Sequence, residues 1–206
     1  MPRHIAIAGN IGAGKTTLVH KMARHYGWEA HLEAVDDNPY LDDFYADMKT
    51  WAFPLQIYFL NSRFNQVLDI RRSSQTIIQD RTIYEDAHIF AKNLRDSGFL
   101  SERDYNTYYS LFRSMSSMIE PPDLLIYLKA SIPTLIEQIA RRGRSYESSI
   151  SIGYLEDLNQ HYEAWIQQYD LGPLLVLDVD KLDYVNRPED LGYVIHRIDQ
   201  EFFGLF

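Results

Sequence analysis

The chain has 206 residues, of which 46% are hydrophobic, enough for a single α/β domain with a full core over residues 1–206. The formal net charge of −9 argues against a nucleic-acid partner, because nucleic acids bind to basic surfaces. The absence of cysteine excludes disulfides and thiolate zinc sites. No apolar run approaches the ~20 residues of a membrane span, and the first predicted strand leaves no room for a signal peptide. We therefore expect a cytoplasmic protein without a membrane partner.

A glycine-rich stretch follows an apolar strand pattern at residues 4–8 and leads into a helical pattern at residues 17–26. It matches the P-loop motif, in which a glycine and any four residues precede Gly-Lys-Thr. In such a loop the backbone N–H groups form a nest around phosphate oxygens, the lysine reaches the β- and γ-phosphates, and the threonine hydroxyl can ligate Mg²⁺. The predicted phosphate site consists of Gly9, Asn10, Ile11, Gly12, Ala13, Gly14, Lys15, Thr16 and Thr17.

Strand and helix patterns alternate along the rest of the chain. The further predicted strands are one ending at 31–35 and those at 76–79, 124–128 and 174–177. The further predicted helices are one capped by residues 36–38 with Pro39 in its first turn, and those at 51–72, 83–94, 101–119, 133–141, 154–169 and 188–203. This alternation predicts a three-layer α/β fold whose five-stranded parallel sheet has helices on both faces.

Carboxylates follow two of the predicted strands, at the sheet edge where ligands of such folds gather. Asp80 lies where P-loop enzymes place a carboxylate near Mg²⁺, although it can instead cap the next helix. Glu33 ends the neighbouring strand, where it can accept the proton of an attacking hydroxyl. The spacing alone supports a surface charge at Glu33 equally well.

Arg142 and Arg144 flank Gly143 just after a predicted helix. Planar guanidinium groups suit phosphate oxygens, and a mobile basic loop can close over a transferring group. The alternative is a solvated helix end, where cations are favourable in any case. Because the chain has a P-loop, we interpret residues 141–152 as a lid.

Short motifs in a fixed order extend over nearly the whole chain. They are residues 9–17, Leu-Glu-Ala-Val at 32–35, Asn-Pro-Tyr-Leu at 38–41, Leu-Gln-Ile-Tyr-Phe-Leu at 55–60 with Arg63, Gln-Asp-Arg-Thr-Ile-Tyr-Glu-Asp at 79–86, and Arg-Gly-Arg at 142–144 with Glu147. Together they resemble the deoxyribonucleoside kinase family, most closely its bacterial deoxyadenosine/deoxyguanosine kinase branch. The resemblance implies a P-loop nucleoside/nucleotide kinase fold with an arginine-bearing lid, and a homodimer.

The resemblance also implies magnesium-dependent transfer of the γ-phosphoryl group of ATP to a deoxynucleoside 5′-hydroxyl. In this reaction Glu33 is the general base, Thr16 and Asp80 hold the metal, and Lys15, Arg81, Arg142 and Arg144 stabilise charge on the transferring group. The implied acceptor contacts are Arg81 with the 5′ end, Tyr45 and Glu147 with the 3′-hydroxyl, Gln56, Arg63 and Asp86 with the base, and Trp51 and Phe53 as pocket walls. Three positions depart from relatives: Ala34 replaces a proline and Asp80 a glutamate of animal members, and Gln138 replaces a lid arginine of some members.

The base-reading residues can also be examined through their spacing. Gln56 and Arg63 lie two turns apart on one predicted helix, so both can face a single pocket that Asp86 enters from the next helix. An ionised Asp86 only accepts hydrogen bonds, which favours bases with an exocyclic amine. This predicts deoxyadenosine first, deoxycytidine or deoxyguanosine next, and thymidine last. The alternative is an Arg63–Asp86 salt bridge between packed helices.

Three other functions compete with this interpretation. A nucleoside monophosphate kinase of the thymidylate kinase type has an ionised acceptor, which needs cations more than it needs a base. A GTPase usually shows Asp-x-x-Gly after its third strand, which we do not find, and residues 180–183, Asp-Lys-Leu-Asp, lack the Asn of the guanine-reading motif. A non-catalytic nucleotide-binding module leaves Glu33, Asp80 and the lid arginines unexplained.

Apolar residues on two predicted helices, 51–72 and 84–97, exceed what one sheet face can cover. They include Tyr58, Phe59, Phe90 and Phe99. This surplus, together with the resemblance, predicts a homodimer. The alternative is burial of the same residues beneath the helix at 101–119.

Overall fold

The structure, a computed structural model, describes residues 3–33, 38–144 and 150–204. Within these ranges five strands form one sheet in the order β2-β3-β1-β4-β5, and each neighbouring pair is parallel. The strands are β1 (His4–Gly9), β2 (Glu29–His31), β3 (Ile77–Asp80), β4 (Leu124–Lys129) and β5 (Leu174–Asp178). The predicted five-stranded parallel sheet is therefore confirmed.

Helices follow each of these strands. Those in the described ranges are α1 (Lys15–Tyr26), α2 (Leu41–Ala46), α3 (Met48–Arg72), α4 (Ile83–Glu85), α5 (Lys92–Asp96), α6 (Glu102–Ser116), α7 (Ile132–Arg142), α8 (Ile152–Gln167) and α9 (Pro188–Phe203). None of the helices described combines the length and the apolar character needed to cross a bilayer.

Alternate residues of the central strands face opposite layers of helices. On one face, Ile5 and Ile7 are fully buried in a cluster that includes Leu18 of α1 and residues of α9. On the other face, Ala6 packs with Tyr162 of α8. This burial with a period of two is what a parallel sheet covered on both faces requires, and it confirms the three-layer architecture.

A further group of helices packs beside the sheet. Residues of α3, α4 and α6 form a buried cluster around Leu60, Tyr84 and Tyr108. Phe59 and Phe99 are partly buried against this cluster. The helix α6 therefore covers part of the apolar surface from which a dimer contact was predicted.

Glu33 lies two residues beyond the end of β2, which stops at His31 instead of continuing to residue 35 as predicted. The reason lies in the partner strand. β3 ends at Asp80, where Arg81 with a φ of 72° turns the chain away, so that only one residue of β3 extends beyond the partner of His31.

The helix α2 begins at Leu41, so Pro39 precedes it and does not lie in its first turn as predicted. The side chain of Asn38 accepts a hydrogen bond from the Tyr40 N–H at 2.9 Å, which closes a turn around Pro39. The predicted capping residues 36 and 37 lie outside the described residues.

The segment predicted as a regular helix at 83–94 is interrupted. Between α4 and α5, residues Asp86–Ala91 form a π-helical segment, in which backbone hydrogen bonds span one residue more than in an α-helix. A pattern search with a period of 3.6 does not distinguish such a segment from an α-helix. The other predicted elements agree with the observed bounds to within three residues.

Candidate active site

A cavity of about 480 Å³ opens at the carboxyl edge of the sheet, beside the P-loop. Residues of α2 and α3 form the wall opposite the P-loop, and the end of α7 forms a third side. This is a usual volume for a small-molecule site. The predicted site residues that line it are Ile11, Gly12, Gly14, Lys15, Thr16, Thr17, Glu33, Tyr45, Gln56, Arg81, Asp86, Arg142 and Arg144.

The P-loop backbone lies directly against its neighbours. Gly12 has a φ of 87°, and a Cβ at this position would lie 2.8 Å from the carbonyl oxygen of Leu135 in α7. Gly14 has a φ of 88°, and a Cβ there would lie 2.5 Å from the hydroxyl of Tyr184. Both glycines are therefore required by conformation and by space, and they bring the N-terminus of α1 to the cavity, where its partial positive charge favours an anion.

Lys15 is buried beside the loop, and its Nζ donates a hydrogen bond to the carbonyl oxygen of Asn10 at 3.0 Å. Burial, with a further contribution from Arg81, lowers the pKa of Lys15 to about 8. The side chain of Asn10 is fixed by α8, because its Nδ2 donates to the Leu155 carbonyl and to Asn159 Oδ1. The ammonium group is thus held at the loop, where a phosphate can stabilise its charged form.

Thr16 and Asp80 meet where the P-loop and β3 end. The Thr16 hydroxyl donates to Asp80 Oδ2 at 2.5 Å, while Asp80 Oδ1 is buried and has no hydrogen-bond partner among the described residues. No group of three or more His, Asp or Glu residues in the described ranges forms a metal site by itself. The pair therefore suits a divalent cation that takes its remaining ligands from phosphates and water.

Glu33 lies between two buried arginines. Its Oε1 is 2.7 Å from Arg63 Nη2 and 3.1 Å from Arg81 Nε. Burial raises the pKa of Glu33, but Arg81, Arg63 and Lys15 together outweigh it and hold this pKa at about 2. Glu33 is therefore ionised at neutral pH, with its position fixed from two sides. The surface-charge interpretation of Glu33 does not fit this geometry.

Arg81 adopts a backbone conformation that is rare for a residue with a side chain, with a φ of 72°. The guanidinium group lies 4.4 Å from the ring centroid of Phe90 and donates from Nη1 to the Tyr162 hydroxyl at 2.9 Å. Strained residues of this kind cluster at functional sites, where the surroundings hold them in place. The conformation lets the side chain reach Glu33.

Asp86 and Gln56 also line the cavity. Asp86 Oδ2 is 3.3 Å from Arg63 Nε, but the contact lacks hydrogen-bond geometry, and Asp86 Oδ2 and Gln56 Oε1 are buried without a hydrogen-bond partner among the described residues. Burial raises the pKa of Asp86 to about 7 against the opposing effect of Arg63 and Arg81. These two oxygens are available to a ligand that brings hydrogen-bond donors.

Three residues that were predicted to contact the nucleoside acceptor do not line the cavity. Arg63 is 1% exposed and does not line the cavity, so it supports Glu33 and Asp86 from behind. The Arg63–Asp86 ion pair of the alternative interpretation is present. Trp51 and Phe53 pack in the cluster around α3 and are likewise not among the lining residues. Apolar walls are instead provided by Leu41, Phe44, Leu55, Phe59 and Phe90.

The predicted lid residues lie at the end of α7, which is terminated by Gly143 with a φ of 68°. Arg142 and Arg144 line the cavity together with Gln138 and Arg141 of the same helix. Glu147, the other predicted sugar contact, lies outside the described residues. The described part of the segment predicted as a lid thus brings three arginines to the cavity.

Glu85 was not predicted, although it is fully buried between the P-loop and Arg81. Its carboxylate accepts hydrogen bonds from the backbone N–H groups of Gly9 (3.3 Å) and Thr82 (2.8 Å) and from the Tyr162 hydroxyl (2.8 Å). The signal for it is the Thr-x-x-Glu pattern at 82–85, a capping box at the start of α4. No local pattern indicates Tyr162, which lies 81 residues from Arg81 in sequence.

Comparison with known proteins identifies the family. A family model described as deoxynucleoside kinase matches residues 5–203. The chain belongs to the deoxynucleoside kinase family. It is accordingly a phosphotransferase with the P-loop kinase fold.

Named relatives cover most of the deoxynucleoside kinase chain. It is 40% identical to a deoxyadenosine/deoxycytidine kinase of Bacillus subtilis over 94% of this chain and 90% of the relative, and 44% identical to a deoxyadenosine kinase of Dictyostelium discoideum over 93% and 77%. A solved structure of deoxyadenosine kinase from M. mycoides with dCMP and dCDP bound has 35% identity and a TM-score of 0.86, and the match covers 96% of this chain and 99% of that one. These matches do not favour the thymidylate kinase alternative.

The P-loop geometry of this kinase predicts a difference between two glycines of similar conformation. Gly98→Ala should cost about 1–2 kcal/mol of unfolding free energy, because Gly98 has a φ of 75° but open space around it. Gly12→Ala should cost at least ~1 kcal/mol more, because its Cβ also meets α7. Urea denaturation measures both, and nucleotide titration should show weaker binding for Gly12→Ala alone. Equal stability losses would contradict the steric argument.

Proposed function

We propose that this deoxynucleoside kinase transfers the γ-phosphoryl group of ATP to the 5′-hydroxyl of a 2′-deoxynucleoside in nucleotide salvage, with deoxyadenosine preferred. The observation that carries the proposal is the Glu33 carboxylate, held by two arginines in a cavity that P-loop residues, Gln56 and Asp86 also line. A hydroxyl placed at Glu33 has phosphate sites on one side and a base pocket on the other. One domain over residues 1–206 would perform the reaction, with residues 141–152 as its lid.

Glu33 accepts the proton of the 5′-hydroxyl. A carboxylate whose pKa is about 2 is too weak a base to ionise a free alcohol, so it first accepts a hydrogen bond that orients the attacking oxygen. The alcohol becomes acidic as its bond to phosphorus forms, and the proton then passes to Glu33 as the bond to the leaving oxygen of ADP breaks. Arg63 and Arg81 keep the carboxylate in place throughout.

The donor side neutralises charge on the phosphates. Lys15 and the P-loop N–H groups would bind the β- and γ-phosphates, and Arg81, Arg142 and Arg144 would stabilise the transferring group. Thr16 and Asp80 would hold Mg²⁺, which when bound offsets charge on the β- and γ-oxygens. Asp80 Oδ1, which is buried and has no hydrogen-bond partner among the described residues, supports this assignment.

The acceptor side recognises sugar and base. Tyr45 lines the cavity and, together with Glu147, would bind the 3′-hydroxyl, with Tyr45 as the obstacle to a ribose 2′-hydroxyl. Gln56 and Asp86 would contact the base, and Arg63 would act through Asp86. Trp51 and Phe53 would support the apolar wall from outside the cavity.

Glu33→Gln should lose at least ~100-fold in turnover while ATP still binds, because the amide cannot take the proton. Glu29→Gln is the matched control, since Glu29 is exposed at the start of β2 and pairs only with His31 among the interactions described. A coupled assay of ADP release measures turnover, and ATP titration measures binding. Turnover within a few-fold of the unmodified enzyme in Glu33→Gln would remove Glu33 from the mechanism.

Base preference should follow from Asp86 in its ionised form. Above pH 7 the carboxylate accepts a hydrogen bond from an exocyclic amine, so at pH 8 specificity constants should rank deoxyadenosine first, deoxycytidine or deoxyguanosine next, and thymidine last. The deoxyadenosine/deoxycytidine kinase relative and the dCMP-bound neighbour support deoxycytidine as a second acceptor. Below pH 7 protonation makes Asp86 a weaker, uncharged acceptor, so the constant for deoxyadenosine should fall.

The measurement is kcat/KM for the four deoxynucleosides between pH 6 and 8.5. Replacing Arg63 and Asp86 together by apolar residues should raise relative thymidine activity, because a carboxylate no longer faces the thymine carbonyl. Thymidine as the leading acceptor of the unmodified enzyme would contradict the base-reading argument.

We also propose a cytoplasmic homodimer without a nucleic-acid or membrane partner. Phe59 and Phe90 line the cavity and so give no support for a dimer, whereas Leu111 is 44% and Met118 57% exposed on and just after α6. The net charge of −9 supports the absence of a nucleic-acid partner.

Light scattering at micromolar concentration should give twice the 24.2 kDa mass of one chain. Leu111→Glu should shift the mass toward the monomer, because it places a charge within an apolar contact. Leu171→Glu, at a residue 40% exposed before β5, is the control and should leave the dimer intact. A monomer mass for the unmodified protein would refute the dimer.

A further inference from the structure

Arg81 is held on two sides, and only one of them belongs to the reaction. Its Nε faces Glu33 at 3.1 Å, on the cavity side. Its Nη1 donates to the Tyr162 hydroxyl at 2.9 Å and lies 3.7 Å from Glu85 Oε1, on the side of the core. Tyr162 and Glu85 are both fully buried and do not line the cavity, so neither can touch a substrate.

Glu85 connects four parts of the fold. It lies in α4 and accepts hydrogen bonds from the N–H of Gly9 at the end of β1, the N–H of Thr82 after β3 and the hydroxyl of Tyr162 in α8. Because Gly9 begins the P-loop, one carboxylate joins the donor site to the arginine beside the general base. The Tyr162 hydroxyl lies between them, as an acceptor from Arg81 and a donor to Glu85.

A helix cap does not explain this burial. The capping box needs only an acceptor for the Thr82 N–H, which a glutamine also provides. Removing a carboxylate from water is costly unless a buried cation compensates for it, and among the described residues Arg81 is at ion-pair distance from Glu85. The charge of Glu85 therefore acts on Arg81, and the capping contact fixes where the carboxylate stands.

We propose that Glu85 and Tyr162 are positioning residues that hold the guanidinium group of Arg81 toward Glu33 and tie it to the first residue of the P-loop. The proposal rests on the kinase reaction proposed above. Without Glu85 or the Tyr162 hydroxyl, Arg81 loses its hold on the core side and can rotate about its side-chain bonds. The general base and the transferring phosphoryl group then lose alignment. This loss lowers kcat more than it changes KM for ATP.

The test uses Glu85→Gln, which keeps the capping acceptor and removes the charge, and Tyr162→Phe, which removes one oxygen and keeps the ring. Tyr127→Phe is the matched control, because Tyr127 stacks on Tyr162 at 5.8 Å but its hydroxyl bonds to Glu163, away from Arg81. Each of the first two variants should lose at least ~10-fold in kcat with KM for ATP within about twofold, and the control should keep the kcat of the unmodified enzyme.

A double-mutant cycle separates positioning from a general loss of structure. In an Arg81→Ala background, Tyr162→Phe should change kcat by less than about twofold, because the group it positions is gone. The proposal would be overturned if Tyr162→Phe lowered kcat in that background by the same factor as in the unmodified enzyme. It would also be overturned if Tyr162→Phe alone left kcat within twofold of the unmodified enzyme. If Glu85→Gln does not fold, Tyr162→Phe and the double-mutant cycle still test the proposal. Absence of deoxynucleoside phosphorylation by the unmodified protein would instead refute the proposed function.

Discussion

Arg63 and Arg81 share the carboxylate of Glu33, and the rest of the site is built around this contact. Both guanidinium groups are removed from water, so each needs anionic partners: Arg63 also has Asp86, and Arg81 also has Glu85. Loss of one member leaves an uncompensated charge next to the others. The five side chains therefore act as one unit that fixes the distances between the proposed general base, the proposed base pocket and the P-loop.

The two halves of the cavity use different chemistry. The proposed donor half combines charged side chains with the P-loop backbone, in which glycines allow the chain to approach α7 and Tyr184 closely. The proposed acceptor half is lined by side chains on α2, α3 and the π-helical segment. A change of side chain can therefore alter the acceptor while the phosphate site stays unchanged. The relatives fit this division, since enzymes similar along most of the chain are named for different deoxynucleosides.

Much of this was visible in the sequence, because the motifs lie in short segments whose order implies a parallel sheet. Of the residues predicted for the site, Glu33, Asp86 and six of the nine P-loop residues line the cavity. Arg63 was expected to face the base but lies behind Asp86, because helical spacing gives the direction of a side chain and not what stands in front of it. Tyr162 could not be paired with Arg81 from the sequence, since their contact depends on how α8 packs on the sheet. Glu85 lies only four residues from Arg81, and its capping-box pattern was the available signal.

The π-helical segment Asp86–Ala91 has a consequence for how the family can vary in length. It holds one residue more per turn than an α-helix, and both Asp86 and Phe90 of this turn line the cavity. Deleting one residue would let the segment relax into α-helix with α4 and α5 still in phase, because only the residue that the wider turn accommodates is lost. The deletion would instead change the spacing of the two cavity-lining residues Asp86 and Phe90. Insertions and deletions should therefore accumulate in the surface loops of this enzyme, and this helix should keep a fixed number of residues.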